Sequence, residues 1–227
     1  MKIKFNRLQW IVHIGSLIPF LILIFDGLTN NLTVNPIQEI TQRTGRTAIL
    51  WLMFSLACTP LNIIFGLKAF NQVRRPLGLY AAFYAALHLL TFLILDYWLD
   101  FQLIFRSLRE KPFIIVGTLA FLILLALTIT STTRSIKRLG KKWKKLHQLV
   151  YAAGVLVIIH YIWVLKADIT QPIIYSVVLA FLLIVRVKPV RQWLVSKQPP
   201  WGKSLNKFLM GGKPKRKTAV SVKTSQV

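Results

Sequence analysis

The sequence predicts an all-α polytopic membrane protein, built as a bundle of six transmembrane helices. Apolar residues make up 55% of the chain and collect in long stretches with almost no charge. A helix needs about 17–25 such residues to cross the hydrocarbon core of a bilayer. No segment shows the alternation of polar and apolar residues that is typical of a transmembrane β-barrel. The basic residues are also distributed unevenly among the segments between the stretches, as expected for a membrane protein with a fixed orientation.

Six apolar stretches mark the expected helices in order. The first follows Lys2, Lys4 and Arg7 in the manner of a signal peptide. It is longer than the apolar part of such a peptide and no A-x-A-like cleavage site follows it, so we expect a retained helix. The sixth is short, and Arg186 and Lys188 would reach the membrane surface from its end. The stretches are residues 10–28, 47–66, 77–95, 113–129, 146–165 and 172–187.

The positive charge lies on one side of the predicted bundle. The formal net charge of +24 would suggest a nucleic-acid partner in a soluble protein. Here the N-terminus, the second and fourth connections and the C-terminal segment carry 24 of the 30 Lys and Arg and none of the six Asp and Glu. The positive-inside rule makes this side cytoplasmic. We therefore expect a membrane protein with both termini in the cytoplasm and no nucleic-acid partner.

The chain is predicted to contain one membrane domain, residues 1–190, and a basic cytoplasmic tail, residues 191–227. The tail is expected to be solvated and attracted to anionic membrane lipid, with an acidic soluble partner as the alternative. The single cysteine, Cys58, excludes an intramolecular disulfide and is expected to pack as a small apolar residue. No P-loop or GxGxxG motif indicates a nucleotide site.

All four histidines lie in or at the edge of predicted spans. The third and fifth helices both run from the inner to the outer side, which puts His88 and His160 level, each roughly 20 Å from the inner surface. Two imidazoles facing each other at one depth could hold a six-coordinate haem. His147 lies at the inner edge, near the depth of His13. A second, inner haem would use His147 with His13, with another group, or with no second protein ligand.

Other roles for these histidines fit less well. Thirteen residues separate His147 from His160, so an ideal helix cannot present both on one face. Either the helix deviates near Gly154 or the two histidines serve different sites. Zinc would need thiolates, carboxylates or grouped histidines, and the only thiol lies on another helix. A proton relay usually includes acids in mid-membrane, whereas all six acids here lie at the outer edge or in outer connections.

Several longer stretches resemble one known family. They are similar to the MsrQ (YedZ) family, the haem-binding membrane subunits of the bacterial periplasmic methionine sulfoxide reductase system, within the ferric-reductase-like transmembrane group. The similarity runs from about residue 9 to residue 190. Its main segments are HIGSLIPF (13–20), TGRTA (44–48), TPL (59–61), RRPLGLYAAFYAALHLLTF (74–92) and TSTTRSIKRLGKKWKKLHQLVYAAGVLVIIHYIWV (130–164).

The resemblance implies a cytochrome b of the bacterial inner membrane, with one or two haem b groups. Such a protein receives electrons from the quinone pool or a cytosolic flavin reductase. It passes them to a periplasmic molybdopterin-containing methionine sulfoxide reductase, which repairs oxidised proteins. By position, His88, His147 and His160 match the family's haem iron ligands, and His13 matches its first-helix motif. The family is also described as binding FMN, for which no motif gives a site. No catalytic residue is implied, because the chemistry on methionine sulfoxide belongs to the partner.

Two sets of arginines are candidates for binding anionic groups. Arg46 opens the second span at the outer face and could pair with a haem propionate, because Arg suits bidentate contacts to carboxylates. An interface anchor or an ion pair in the connection is the alternative. Arg74 and Arg75 could do the same for an inner haem or a flavin phosphate, although the positive-inside pattern alone would also explain them.

Two other functions remain open at this point. The first is a stand-alone transmembrane reductase of ferric ions or oxygen, which would also contain haem. The second is a histidine-gated transporter or proton channel without a cofactor. The absence of acids in mid-membrane and of paired, interrupted half-helices counts against the second.

Overall fold

The computed structural model describes residues 6–165 and 168–209, and all regular structure in these ranges is helical. Lys2, Lys4, Lys166 and the tail from 210 to 227 lie outside the described residues. A 3₁₀ turn (Lys68–Gln72) follows α2, and a π-helical turn (Thr91–Asp96) extends α3. The helices are α1 (Arg7–Leu28), α2 (Pro36–Phe65), α3 (Arg74–Leu90), α4 (Phe101–Glu110), α5 (Pro112–Ile129), α6 (Thr133–Leu139), α7 (Lys141–His147), α8 (Leu149–Val164), α9 (Thr170–Ile184), α10 (Lys188–Ser196) and α11 (Trp201–Leu209).

Five segments of the described chain are long and apolar enough to cross a membrane: α1, α2, Arg74–Asp96, α5 and Lys141–Val164. The sixth predicted span corresponds to α9, which has 15 residues and bends by 79° into α10. At 1.5 Å per residue α9 covers only about 22 Å. It therefore counts as a sixth span only together with α10. The prediction of an all-α polytopic membrane protein is confirmed.

The second helix begins well before the apolar stretch that predicted it. Asn35 caps its start by accepting a hydrogen bond from the backbone N–H of Gln38 (3.2 Å), and Pro36 occupies the first helical position. Both are typical helix starts. The helix ends at Gly66, whose φ of +69° suits glycine. The polar turns at its outer end therefore remain helical, and they carry several residues of the candidate site.

The bundle is organised around two helix pairs. α2 packs along α3, and α5 packs along α8, with α9 against α8 and α2. α2 is the most deeply buried span, whereas only 6% of the most apolar part of α1 is buried. α1 therefore lies at the periphery of the bundle, with most of its apolar side chains exposed. In a bilayer those side chains face lipid.

Pro19 interrupts the backbone hydrogen bonds of α1, and a tyrosine from α3 repairs the interruption. The Tyr84 hydroxyl accepts a hydrogen bond from the Phe20 N–H (3.0 Å) and donates one to the Ser16 carbonyl (2.7 Å). In an uninterrupted helix these two backbone groups would bond to each other. Tyr84 is only 1% exposed. Its hydroxyl is thus inserted into α1 at the proline and ties α1 to α3.

Pro60 creates a similar gap in α2. Since proline has no N–H, the carbonyl of Leu56 lacks its normal donor. The guanidinium of Arg186, at the end of α9, donates to that carbonyl instead. It also lies over the ring of Tyr151, 5.1 Å from the centroid. Arg186 therefore binds the backbone of another helix, a role that its position at a predicted membrane surface did not indicate.

The first part of the basic C-terminal segment is helical and contacts the inner end of the bundle. On α11, the Asn206 side chain donates to the Gly66 carbonyl and accepts from the Ala69 N–H. A Cβ at Gly202 would lie 1.9 Å from the Phe65 carbonyl oxygen, so the two backbones pack directly together. Up to residue 209 the segment is therefore a docked helix, unlike the solvated tail expected from its charge. Its helical pattern was hidden in the sequence by PPWGK, which reads as a turn.

Candidate cofactor site between α3 and α8

A cavity of about 290 Å³ lies among α2, α3, α5 and α8, towards the end of the bundle where α1 ends and α2 begins, which the sequence predicts to be the outer end. Its walls are mainly aliphatic and aromatic, and they include Leu52, Leu89, Phe121 and Val157. Polar groups enter it at few positions, which is the usual composition of a cofactor or ligand pocket. The helix pairs α2–α3 and α5–α8 supply opposite walls. The cavity therefore separates two rigid units of the fold.

His88 and His160 face each other across this cavity. Their ring centroids are 6.1 Å apart and the ring planes differ by 84°. Two imidazoles on opposite sides of one metal ion, each with a metal–nitrogen bond of about 2.0–2.1 Å, would have ring centroids roughly 6.4 Å apart. The observed separation therefore fits a metal held between the two rings. The structure brings together the two histidines that the depth argument placed at one level.

Hydrogen bonds fix the tautomer of both rings. Nδ1 of His88 lies 2.9 Å from the carbonyl oxygen of Thr41, and Nδ1 of His160 lies 2.7 Å from that of Phe113. A carbonyl oxygen only accepts, so each Nδ1 is assigned as the protonated nitrogen. Each Nε2 then keeps its lone pair. Neutral imidazoles with Nε2 free and Nδ1–H bonded to a carbonyl are typical metal ligands.

Two cationic side chains line the outer end of the cavity. Arg46 comes from α2 and Lys111 precedes α5. Lys111 donates a hydrogen bond to the Tyr97 hydroxyl (3.2 Å), whereas Arg46 forms no salt bridge with any described residue. Arg46 was a sequence candidate. Lys111 was missed, because in the sequence it reads as one charge among several in an outer connection.

Beside Arg46 the cavity meets a polar vestibule of about 400 Å³ on the outer side. Gln42 and Arg46 line both spaces. Arg43 pairs with Asp26 of α1 and with Glu39 one turn earlier, and the Glu39 carboxylate also accepts from the Thr33 N–H. These ion pairs hold the α1–α2 connection against α2. This end of the cavity is therefore its polar end, and it lies next to the connection between α1 and α2.

His147 lies apart from this pair. Its Nε2 is 3.1 Å from Thr130 Oγ1, and its ring stacks on Trp143 at 4.0 Å between centroids. Because the Thr130 hydroxyl donates to Ala126, its oxygen accepts from Nε2–H of His147. The helix irregularity that separates His147 from His160 is at Gln148, between α7 and α8, and not near Gly154. The two histidines therefore have different surroundings, as one of the two sequence interpretations required.

His13 contacts α3. Its Nδ1 lies 2.9 Å from the Tyr80 hydroxyl, with the rings edge to face. The contacts recorded for His13 and His147 thus involve different helices, and they do not bring the two rings together. Arg74 donates to Thr59 Oγ1 (3.3 Å), near the inner end of α2.

The donor set fits haem better than a protein-bound metal ion alone. Among the residues that the structure describes, no three His, Cys, Asp or Glu side chains are grouped as metal ligands. Zinc would need such a group. A haem iron needs only axial ligands from the protein, because the macrocycle supplies the remaining four. Two imidazoles, an apolar slot and two cations at one end match a flat apolar group with two carboxylates.

Comparison with known proteins agrees with this geometry. Residues 44–159 match the family described as ferric reductase like transmembrane component. The chain is 43% identical over 187 residues to the "protein-methionine-sulfoxide reductase heme-binding subunit MsrQ" of Herminiimonas arsenicoxydans, covering 81% of this chain and 86% of the relative. The proteins of the same name from Xanthomonas euvesicatoria and Pectobacterium atrosepticum are 39% and 36% identical. These alignments cover 76% and 83% of this chain, and 82% and 95% of the relatives.

No solved structure matches the chain significantly. The sequence relatives each align over more than two thirds of both chains. The segment that matches the ferric-reductase family contains His88 of α3 and His147 of α7. On this evidence the chain belongs to the MsrQ family, within the ferric-reductase-like transmembrane group.

Proposed function

We propose that this chain is a membrane cytochrome b that carries electrons across the bacterial inner membrane for methionine sulfoxide reduction. The observation that carries the proposal is the His88–His160 pair, 6.1 Å apart across an apolar cavity. Haem bound there would supply one-electron chemistry. His88 and His160 would be its axial ligands, with Arg46 and Lys111 beside its carboxylates. The names of the relatives, which describe a haem-binding subunit, support the same cofactor.

The residues around the cavity suit electron transfer. A haem held by both His88 and His160 would supply electron transfer, because each histidine would take a position that oxygen or another small substrate needs. Apolar walls from α2, α3, α5 and α8 exclude water and set a low local dielectric, which tunes the reduction potential together with the axial ligands. This arrangement favours a subunit that passes electrons on over a stand-alone ferric or oxygen reductase.

The direction of transfer follows from the orientation. Within the described residues all six acids lie at the end of the bundle where α1 ends and α2 begins, and most Lys and Arg lie at the opposite end. The positive-inside rule makes the second end cytoplasmic. Electrons would enter there from the quinone pool or a cytosolic flavin reductase. They would leave through the outer cavity to a periplasmic molybdopterin-containing methionine sulfoxide reductase.

The inner redox site is proposed on weaker structural grounds than the outer one. His147 remains the predicted iron ligand of a second haem, and His13 a predicted contributor. Release of His147 from Thr130 would be needed before Nε2 could bind iron. FMN, implied by the family, has no assigned site. Arg74 and Arg75 at the start of α3 remain candidates for its phosphate.

The first test is a reduced-minus-oxidised optical spectrum with haem quantification on the purified chain. It would include His88→Ala, His160→Ala and His147→Ala. We expect a b-type spectrum in the wild type and a shared loss in the His88 and His160 variants. A separate, partial loss in His147→Ala would indicate the inner haem. A folded wild type without haem, from haem-replete cells, would refute the proposal.

The second test concerns the electron acceptor. The chemically reduced chain is mixed with a soluble molybdopterin methionine sulfoxide reductase and, separately, with a ferric chelate or oxygen. We expect rapid haem oxidation by the reductase in the presence of methionine sulfoxide. Fast turnover with the ferric chelate or oxygen, and none with the reductase, would instead establish the stand-alone reductase.

A further inference from the structure

The two facing histidines are seated in the same way on two different helices. An ideal Cβ built on Gly45 of α2 would lie 3.0 Å from Nδ1 and 3.2 Å from Cε1 of His88. One built on Gly117 of α5 would lie 2.7 Å from Nδ1 and 2.8 Å from Cε1 of His160. The Gly117 distances are shorter than real Cβ contacts, and the Gly45 distances are shorter than nearly all of them. Each ring therefore occupies the space that a side chain at its glycine would fill.

The glycine also determines which carbonyl the ring reaches. His88 bonds to the carbonyl of Thr41, four residues before Gly45, and His160 bonds to that of Phe113, four residues before Gly117. In an α-helix that carbonyl accepts from the N–H of the glycine itself. The same oxygen has a second lone pair, and the ring N–H donates to it from its place over the glycine.

Sequence similarity does not account for this repetition. The two segments read TQRTG (41–45) and FIIVG (113–117), and only the glycine is shared. What the two sites share is a histidine ring packed against helix backbone at a position without a side chain. The His88 ring lies against α2 and the His160 ring lies against α5. The 84° angle between the ring planes therefore follows from how α2 and α5 are placed.

We propose that Gly45 and Gly117 are positioning residues that fix the orientation of the two axial imidazoles. This inference rests on the proposed haem site. Contact with the helix backbone prevents rotation of each ring, and the Nδ1–H bond to the carbonyl increases the electron donation of Nε2. The pair would therefore hold the iron with its imidazole planes nearly perpendicular in both oxidation states, which limits rearrangement when an electron arrives or leaves.

The test compares Gly117→Ala and Gly45→Ala with two matched controls in α1. Gly15 and Gly27 have nothing within 4 Å of a built Cβ. Alanine is a better helix former than glycine, so Gly15→Ala and Gly27→Ala should be neutral or slightly stabilising. All four variants change one helical glycine by one methyl group. They differ in whether that methyl group meets an imidazole.

We expect Gly117→Ala to bind haem roughly 10–100-fold more weakly, the usual loss when a group that orients a metal ligand is changed. Gly45→Ala, with the longer contact, should lose less. Electron paramagnetic resonance of the oxidised wild type should show the strongly anisotropic low-spin signal of perpendicular imidazoles. In both variants that signal should decrease or move towards that of more parallel planes, and the midpoint potential should change. The controls should keep the wild-type signal.

Two results would overturn the inference. In the first, Gly117→Ala and Gly45→Ala match the controls in haem content, resonance signal and potential. In the second, both variants lose the folded, monodisperse protein together with haem, because the glycines would then serve assembly of the helices and not ring placement. Absence of haem in the wild type would instead contradict the proposed function. The two failures are therefore distinguishable.

Discussion

The Tyr84 hydroxyl provides the most direct test of how the bundle holds its first helix. Replacing Tyr84 by Phe keeps the ring and removes one oxygen. The Phe20 N–H and the Ser16 carbonyl would then lose their partner inside the bundle. They cannot simply close on each other, because the ring of Pro19 clashes with the preceding turn and holds α1 open.

The expected cost follows from these two contacts. A buried backbone group without a partner costs about 1–3 kcal/mol, so two such groups would cost about 2–6 kcal/mol. Hydrogen bonds between membrane helices measure lower, about 0.6 kcal/mol on average and up to about 1.7, because separated helices also find partners. For two bonds at a site that proline prevents from closing, we expect a loss of about 2–3 kcal/mol in the free energy of unfolding.

Unfolding curves in detergent measure this difference. Tyr175→Phe is the matched control, since Tyr175 lies in α9 and its ring contacts Tyr161 without a hydrogen bond from its own hydroxyl in the described structure. A second check is Tyr84→Phe in a Pro19→Ala background, where α1 can close its own bond and the loss should shrink. If Tyr84→Phe is no more destabilising than Tyr175→Phe, the insertion of the hydroxyl into α1 does not stabilise the bundle.

Three further changes test other contacts. Arg186→Ala should destabilise the protein by about 2–4 kcal/mol, because the Leu56 carbonyl loses its donor, and part of this loss should be recovered with Pro60→Ala. Unfolding curves in detergent measure this loss of stability. If Arg186→Ala costs as much in the Pro60→Ala protein as in the wild type, Arg186 does not compensate for the N–H that Pro60 lacks. Gly202→Ala should release α11 and speed limited proteolysis from the cytoplasmic side, whereas Gly27→Ala should not. Lys111→Ala should lower the haem midpoint potential in a redox titration by removing a cation from the outer end of the cavity, and an equal shift in the exposed control Arg109→Ala would show a nonspecific charge effect.

Much of the fold could be predicted because hydropathy and charge are one-dimensional signals. The long apolar stretches located five spans, and the acids and bases separated the two sides. The sixth span was less clear because α9 is short and bends at its end. The helical α11 was missed because its contacts, such as Asn206 with Gly66, come from residues far apart in the sequence.

The candidate site was predictable to the same extent. Residue depth, counted along two parallel helices, was enough to bring His88 and His160 together. The rise along a helix does not show which neighbouring helix each ring contacts, so the contacts of His88 with Gly45 and of His160 with Gly117 could not be predicted. For His147 a depth could be counted along the fifth predicted helix, but the count could not show that Thr130 binds its Nε2.

The repair of α2 by Arg186 has a consequence for biosynthesis. The donor for the Leu56 carbonyl lies 130 residues further along the chain. At about 5–20 residues per second, a ribosome would need roughly 6–26 s to make the intervening chain. Until Arg186 has been made, the Leu56 carbonyl of α2 cannot have the donor that it has in the folded protein. A residue that follows α9 therefore supplies the missing donor of the second helix, and a chain stopped before Arg186 would lack it.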